Sequence, residues 1–218
     1  MSGTLVLVGG EEFTDGCSFD RDLFSGAGSV LVVPTAKAYE DPGSVIARAT
    51  EWFAPMGVSV DVLEVYRRAD ALEESAAAKV AAAKAIYLTS GSPMHLRSVL
   101  KDSPVLDAMV EAWRSGVTVA LAGEAAAVAC QNMVDSRGGA FTAGLDVILD
   151  FTVVPRLNRW SPEMWHRTVG LARAGFPIVG IDEATALIRS GDKQWRVEGA
   201  GKVHVYVDGT DSPLSVLP

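Results

Sequence analysis

Val117-Thr118-Val119-Ala120-Leu121-Ala122, followed at once by Gly123-Glu124-Ala125, is the stretch on which the fold turns. Six small or β-branched residues in a row are too few for a helix and lack the alternation of a half-solvated strand. They read as a strand buried on both faces of a sheet. Gly123 permits a sharp reversal, and the apolar stretch from Ala125 to about Val134 reads as the helix that leaves it. The turn is placed like a nucleophile elbow, yet it carries neither serine nor cysteine.

The same pattern recurs on both sides of this stretch. Leu5-Val6-Leu7-Val8 ends at Gly9-Gly10, and Ser29-Val30-Leu31-Val32-Val33 ends at Pro34. Val58 to Leu63 and Ala85-Ile86-Tyr87-Leu88 are further strands. Helical spacing links Val45, Ile46, Ala49, Trp52 and Phe53, and Gly57 follows as a C-cap signal. Further helices are expected over Ala71 to Ala83, Met94 to Leu100, Val105 to Trp113 and Pro162 to Ala174. This βα alternation predicts an α/β protein with a mostly parallel central sheet flanked by helices. The tail reads differently. Ala186-Leu187-Ile188, Trp195-Arg196-Val197 and Val203 to Val207 alternate in twos between glycine turns, as an antiparallel meander on one sheet edge. Nothing in the composition breaks residues 1–218 into two domains.

Half of the 218 residues are hydrophobic, enough for a sizeable core without disulfides or a structural metal. Cys17 and Cys130 lack zinc or CxxC spacing, so no metal site and no cofactor is expected. The formal charge of −8, with 19 scattered Lys and Arg, argues against a nucleic-acid partner. The chain opens without a basic leader and contains no run long enough for a membrane span, so a cytoplasmic protein is expected.

Ligands of open α/β sheets bind beyond the carboxyl ends of the strands. Three such ends stand out: Gly9-Gly10-Glu11-Glu12, Thr89-Ser90-Gly91-Ser92-Pro93 and Ala122-Gly123-Glu124-Ala125. Any one of them is an ordinary hinge; together they would frame a pocket.

Taken in order, these segments resemble peptidase family S51, the aspartyl dipeptidases and cyanophycinases. Leu88 to Leu96 is similar to the family's Thr-Gly-Gly-Asn-Thr-Phe-x-Leu segment. Ala122 to Ala127 lies where the family has Gly-x-Ser-Ala-Gly, and Val153-Val154-Pro155-Arg156-Leu157 where it has Pro-His-Phe. Asp135 to Phe141 and Gly180-Ile181-Asp182-Glu183 also fit. The resemblance implies a class I glutamine amidotransferase-like, flavodoxin-like fold, with a catalytic serine, histidine and acidic residue.

Transferred motif to motif, the serine position becomes Ala125 and the histidine position Arg156. Alanine has no oxygen to attack a carbonyl, and arginine stays protonated far above neutral pH. Asp135, Asp146 and Asp150 all remain open as the third member. Glu124 and Arg156 are expected to pair across the emptied site. Gly91, Ser92, Gly123, Ala126 and Trp160 would line a pocket for a small molecule or peptide. The aromatic segment after Arg156 suits either that pocket or a homodimer interface. Three readings follow: a degenerate family member that binds a small molecule or partner without hydrolysing, a serine-type hydrolase of small acidic peptides whose nucleophile is mutated here or lies elsewhere, and an enzyme of another class using Glu124 and Arg156.

Overall fold

The computed structural model describes residues 2–218. The strands are β1 (Leu5–Val8), β2 (Ser29–Val33), β3 (Ser59–Val62), β4 (Ala85–Leu88), β5 (Thr118–Ala122), β6 (Asn132–Val134), β7 (Phe141–Ala143), β8 (Thr152–Pro155), β9 (Ile178–Ile181), β10 (Thr185–Arg189), β11 (Trp195–Gly199), β12 (Val203–Val207) and β13 (Thr210–Ser212). The helices are α1 (Phe19–Phe24), α2 (Pro42–Phe53), α3 (Arg68–Ala71), α4 (Glu74–Ala81), α5 (Pro93–Leu100), α6 (Pro104–Arg114), α7 (Glu124–Ala129) and α8 (Pro162–Leu171). No helix among the described residues is long and apolar enough to cross a membrane.

The expected α/β architecture is present. A seven-stranded sheet runs β11-β10-β1-β5-β4-β2-β3, with β1 to β5 parallel and β10 and β11 antiparallel at one edge. Alternate side chains of the buried strands serve opposite faces. Leu5, Leu7, Ile86 and Leu121 pack beneath α5, α6 and α7, while Val6, Val8, Tyr87 and Ala122 pack with Phe19 and Phe24 of α1 and Phe53 of α2.

The meander is only partly as expected. β10 and β11 extend the central sheet, but β12 leaves it and pairs with β9 in a four-stranded sheet ordered β13-β12-β9-β8. Alternation marks a strand without naming its partner, so the pattern could not reveal the switch. The helix expected from Ala125 to Val134 stops at Ala129, because Gln131 donates its N–H to the Ile148 carbonyl and β6 begins at Asn132. The helix expected over Ala71 to Ala83 is shorter, α4 at Glu74–Ala81, preceded by the separate turn α3 that ends at Ala71.

Candidate active site at the elbow

β5 lies between β1 and β4 with Ala122 opposite Val8 and Leu121 opposite Leu88. The three turns singled out in the sequence therefore leave the sheet side by side. Gly123 donates its N–H to the Val8 carbonyl at 2.8 Å. The smaller sheet closes the site: Arg156, just after β8, donates its N–H to Gly9 O at 2.8 Å, and Ala184 donates to Gly10 O at 2.8 Å.

The apex of the elbow is Gly123. Its φ of 53° and ψ of −122° form the one sharp corner between strand and helix, a conformation that a side chain makes costly. Ala125, expected at the nucleophile position, lies elsewhere. It is 2% exposed and faces an apolar cavity of about 60 Å³ between α5, α6 and α7, which it lines with Leu88, Leu96, Met109 and Leu121. Ala126 is fully buried in the same core. Ala125 is the second residue of α7 after the apex, and the rotation over those two positions turns its methyl into the sheet.

Ser90 fills the space beside the apex. A Cβ built on Gly123 would lie 2.8 Å from Ser90 Cβ, closer than real Cβ atoms approach. Ser90 donates both its hydroxyl, at 2.7 Å, and its N–H, at 2.9 Å, to Glu12 Oε1. Glu12 is 1% exposed, so its carboxylate meets these donors rather than water. Gly91, the next residue, packs against the Ala36 backbone and donates its N–H to Glu124 Oε2 at 3.2 Å. Ser92 caps α5 by accepting the His95 N–H, and so aims this turn without facing the apex.

Above the elbow, the Arg156 guanidinium joins three carboxylates. Its Nη1 lies 3.1 Å from Glu11 and 3.3 Å from Glu183, and its Nε lies 3.5 Å from Glu124. The Glu124–Arg156 pair is thus one arm of a network rather than an isolated fork. Gly10 is what lets the arginine lie down: a Cβ there, at φ +109°, would meet Arg156 Cζ at 2.9 Å. Burial opposes the guanidinium's charge, but Glu124, Glu11 and Glu12 outweigh it and hold the Arg156 pKa above its ordinary value. Burial likewise opposes charge on Glu183, yet hydrogen bonds from Arg159, Asn158 and Arg156 hold its pKa below the usual carboxylate range.

Trp160, expected in the pocket, packs instead on Val134, Val154, Phe176 and Ile178, in the core of the smaller sheet. Trp165 meets Tyr206 edge-on at 5.1 Å in the same layer. Two of the three histidines are engaged elsewhere: His95 Nε2 lies 2.9 Å from Tyr66 O, and His166 Nδ1 lies 2.8 Å from Pro162 O. Cys130 is sealed in the core, where burial pushes its thiol up to about 12. The sequence places Glu11, Glu12, Ser90 and Glu183 on segments that frame the pocket or fit the resemblance but assigns them no role at the site. Their signal is position: each lies within four residues of the carboxyl end of a buried strand, β1, β4 or β9.

An α/β protein with a strand-to-helix elbow at the carboxyl end of its central strand, closed by charged loops from a second sheet, is the architecture of a hydrolase-type pocket. More particularly, the chain belongs to peptidase family S51, whose model matches residues 6–197. It is 26% identical over 227 residues to a cyanophycinase of Trichormus variabilis, covering 96% of this chain and 74% of that protein. A cyanophycinase of Geminocystis herdmanii is 24% identical, over 95% of this chain and 81% of the relative. Among solved structures, a peptidase from an acI-B1 Actinobacterium superposes with a TM-score of 0.83 at 26% identity, covering 97% of this chain and 93% of that one. A Listeria monocytogenes protein described as a putative peptidase E has a TM-score of 0.71 at 18% identity, with coverage of 92% and 100%.

Proposed function

We propose that this member of family S51 no longer hydrolyses peptides by a serine–histidine pair at the elbow, and that its charged pocket holds a small polar molecule or peptide instead. The observation that carries this reading is the apex itself: Gly123 presents no side chain, and Ser90 stands in the space one would need. On this reading the vacant nucleophile position is Gly123 rather than Ala125, the backbone angles of Gly123 being those of the sharp corner. Arg156, at the position the family resemblance gives to histidine, is held as a cation by three carboxylates and has no lone pair to take a proton. Glu124 and Arg156 fill the volume above the turn, so a ligand enters by displacing them. Gly91 N–H then becomes free to bind it.

Relatives named cyanophycinase favour a second reading, retained hydrolysis of an acidic peptide. Purified protein incubated with cyanophycin and with an aspartyl dipeptide separates the two. Release of amino groups no faster than in a blank is the expected result. Turnover of about one per second, ordinary for an enzyme, would overturn the proposal.

A further inference from the structure

The elbow has lost its own side chain, but the serine that abuts it holds a hydroxyl already set up for chemistry. Ser90 Cβ lies 2.8 Å from the position of a Cβ at Gly123, and its Oγ donates to Glu12 Oε1 at 2.7 Å. That carboxylate is 1% exposed and takes a second donor, Ser90 N–H, on the same oxygen, so its orientation is fixed. A hydroxyl within hydrogen-bond reach of an oriented base is the arrangement of an activated nucleophile. The next residue supplies the remaining element. Gly91 N–H is held by the Glu124 carboxylate, an oxygen anion occupying the place where a carbonyl oxygen would gain charge. Glu124 and Arg156 are the partly exposed, movable side chains over this turn, whereas Ser90 and Glu12 are not.

We propose that Ser90 is an acyl-accepting nucleophile, with Glu12 its proton acceptor, Gly91 N–H an oxyanion donor and Glu124 the side chain that guards them. The substrate class is a small ester or similarly activated acyl compound. Ser90 Oγ forms a bond to the carbonyl carbon as its proton passes to Glu12 and the carbonyl electron pair moves onto oxygen. Collapse breaks the bond to the leaving alkoxide, which takes the proton from Glu12. Water then adds to the acyl carbonyl, giving its proton to Glu12, and collapse breaks the bond to Ser90 Oγ, which takes that proton back and releases the acid. This goes beyond the reading of the elbow, which concerns residues 123 and 156.

A fluorophosphonate tests it, since its phosphorus forms the same bond to Oγ while fluoride leaves. The protein, Glu124→Ala, Glu12→Gln and Ser90→Ala are each treated and the modified peptide is located by mass spectrometry. The expected result is modification at Ser90, roughly tenfold faster once Glu124 is removed, on the order of a hundredfold slower in Glu12→Gln, and absent in Ser90→Ala. No modification of Ser90 in either the unaltered protein or Glu124→Ala, neither of which disturbs the buried pair, overturns the proposal. Modification of a different serine does the same. Dipeptide hydrolysis measured on the same samples keeps the two readings apart. Ser90 modified without hydrolysis supports both. Hydrolysis that disappears in Ser90→Ala supports this proposal and overturns the binding-only reading. Neither modification nor hydrolysis overturns this proposal alone.

Discussion

Asp20, on the face of the sheet opposite α7, is fully buried with only one of its oxygens paired, by the Trp52 indole N–H at 2.9 Å. Burial, with Glu12 adding to it, raises its pKa to about 8 against the indole's opposing pull. The folded chain therefore binds this proton more tightly than the unfolded chain. Its contribution to stability is full below about pH 4 and is lost as pH rises through about 8. Asp20→Asn should flatten this slope and raise the urea midpoint at pH 8 to 9, by a difference on the order of a few kcal/mol at most. A midpoint-versus-pH series for both proteins checks the sign. Arg156 predicts the opposite kind of change. Arg156→Ala leaves Glu11, Glu124 and Glu183 facing one another, so it should lower Tm at low salt and recover much of the loss at 1 M salt. A loss indifferent to salt would point to packing instead.

At the scale of elements, the decisive object is the short helix α7 and the apolar cavity beneath it. Ala125→Ser would place a hydroxyl in that lining, among Leu88, Leu96 and Leu121. It should cost roughly 1–3 kcal/mol of stability and yield no hydrolysis, measured by denaturant unfolding and a dipeptide assay. The buried strands were legible because continuous β-branched runs bounded by glycine have few other readings. The end of α7 was not: Ala125 to Val134 contains no Gly or Pro, and what stops the helix is the Ile148 carbonyl, drawn in from 17 residues beyond Gln131. The elbow's register was hidden for a related reason. Three alanines in a row give no chemical landmark, and the apex is identified by the backbone angles of Gly123 alone. Glu124 and Arg156 could be paired from the aligned turns. Ser90 and Glu12 could not, because their contact spans 78 residues and depends on β1 and β4 flanking β5.

For the molecule as a whole, two sheets converge on one point. The carboxyl ends of β1, β4 and β5 meet the loops after β8 and β9, so charged side chains from four turns, and Ser90 from the fifth, share a single site in a chain of net charge −8. The arrangement concentrates acid at the site and leaves Arg156 central to its neutralisation. Position 123 and position 90 compete for the same volume, which ties the missing elbow side chain to a residue on another strand. A double-mutant cycle in stability, Gly123→Ser, Ser90→Gly and the pair, measures that competition directly. Gly123→Ser alone should destabilise severely, and Ser90→Gly should relieve part of that loss, with a favourable coupling of roughly 1–3 kcal/mol. Strictly additive effects would contradict the assignment of Gly123 as the apex and Ser90 as the occupant of its space.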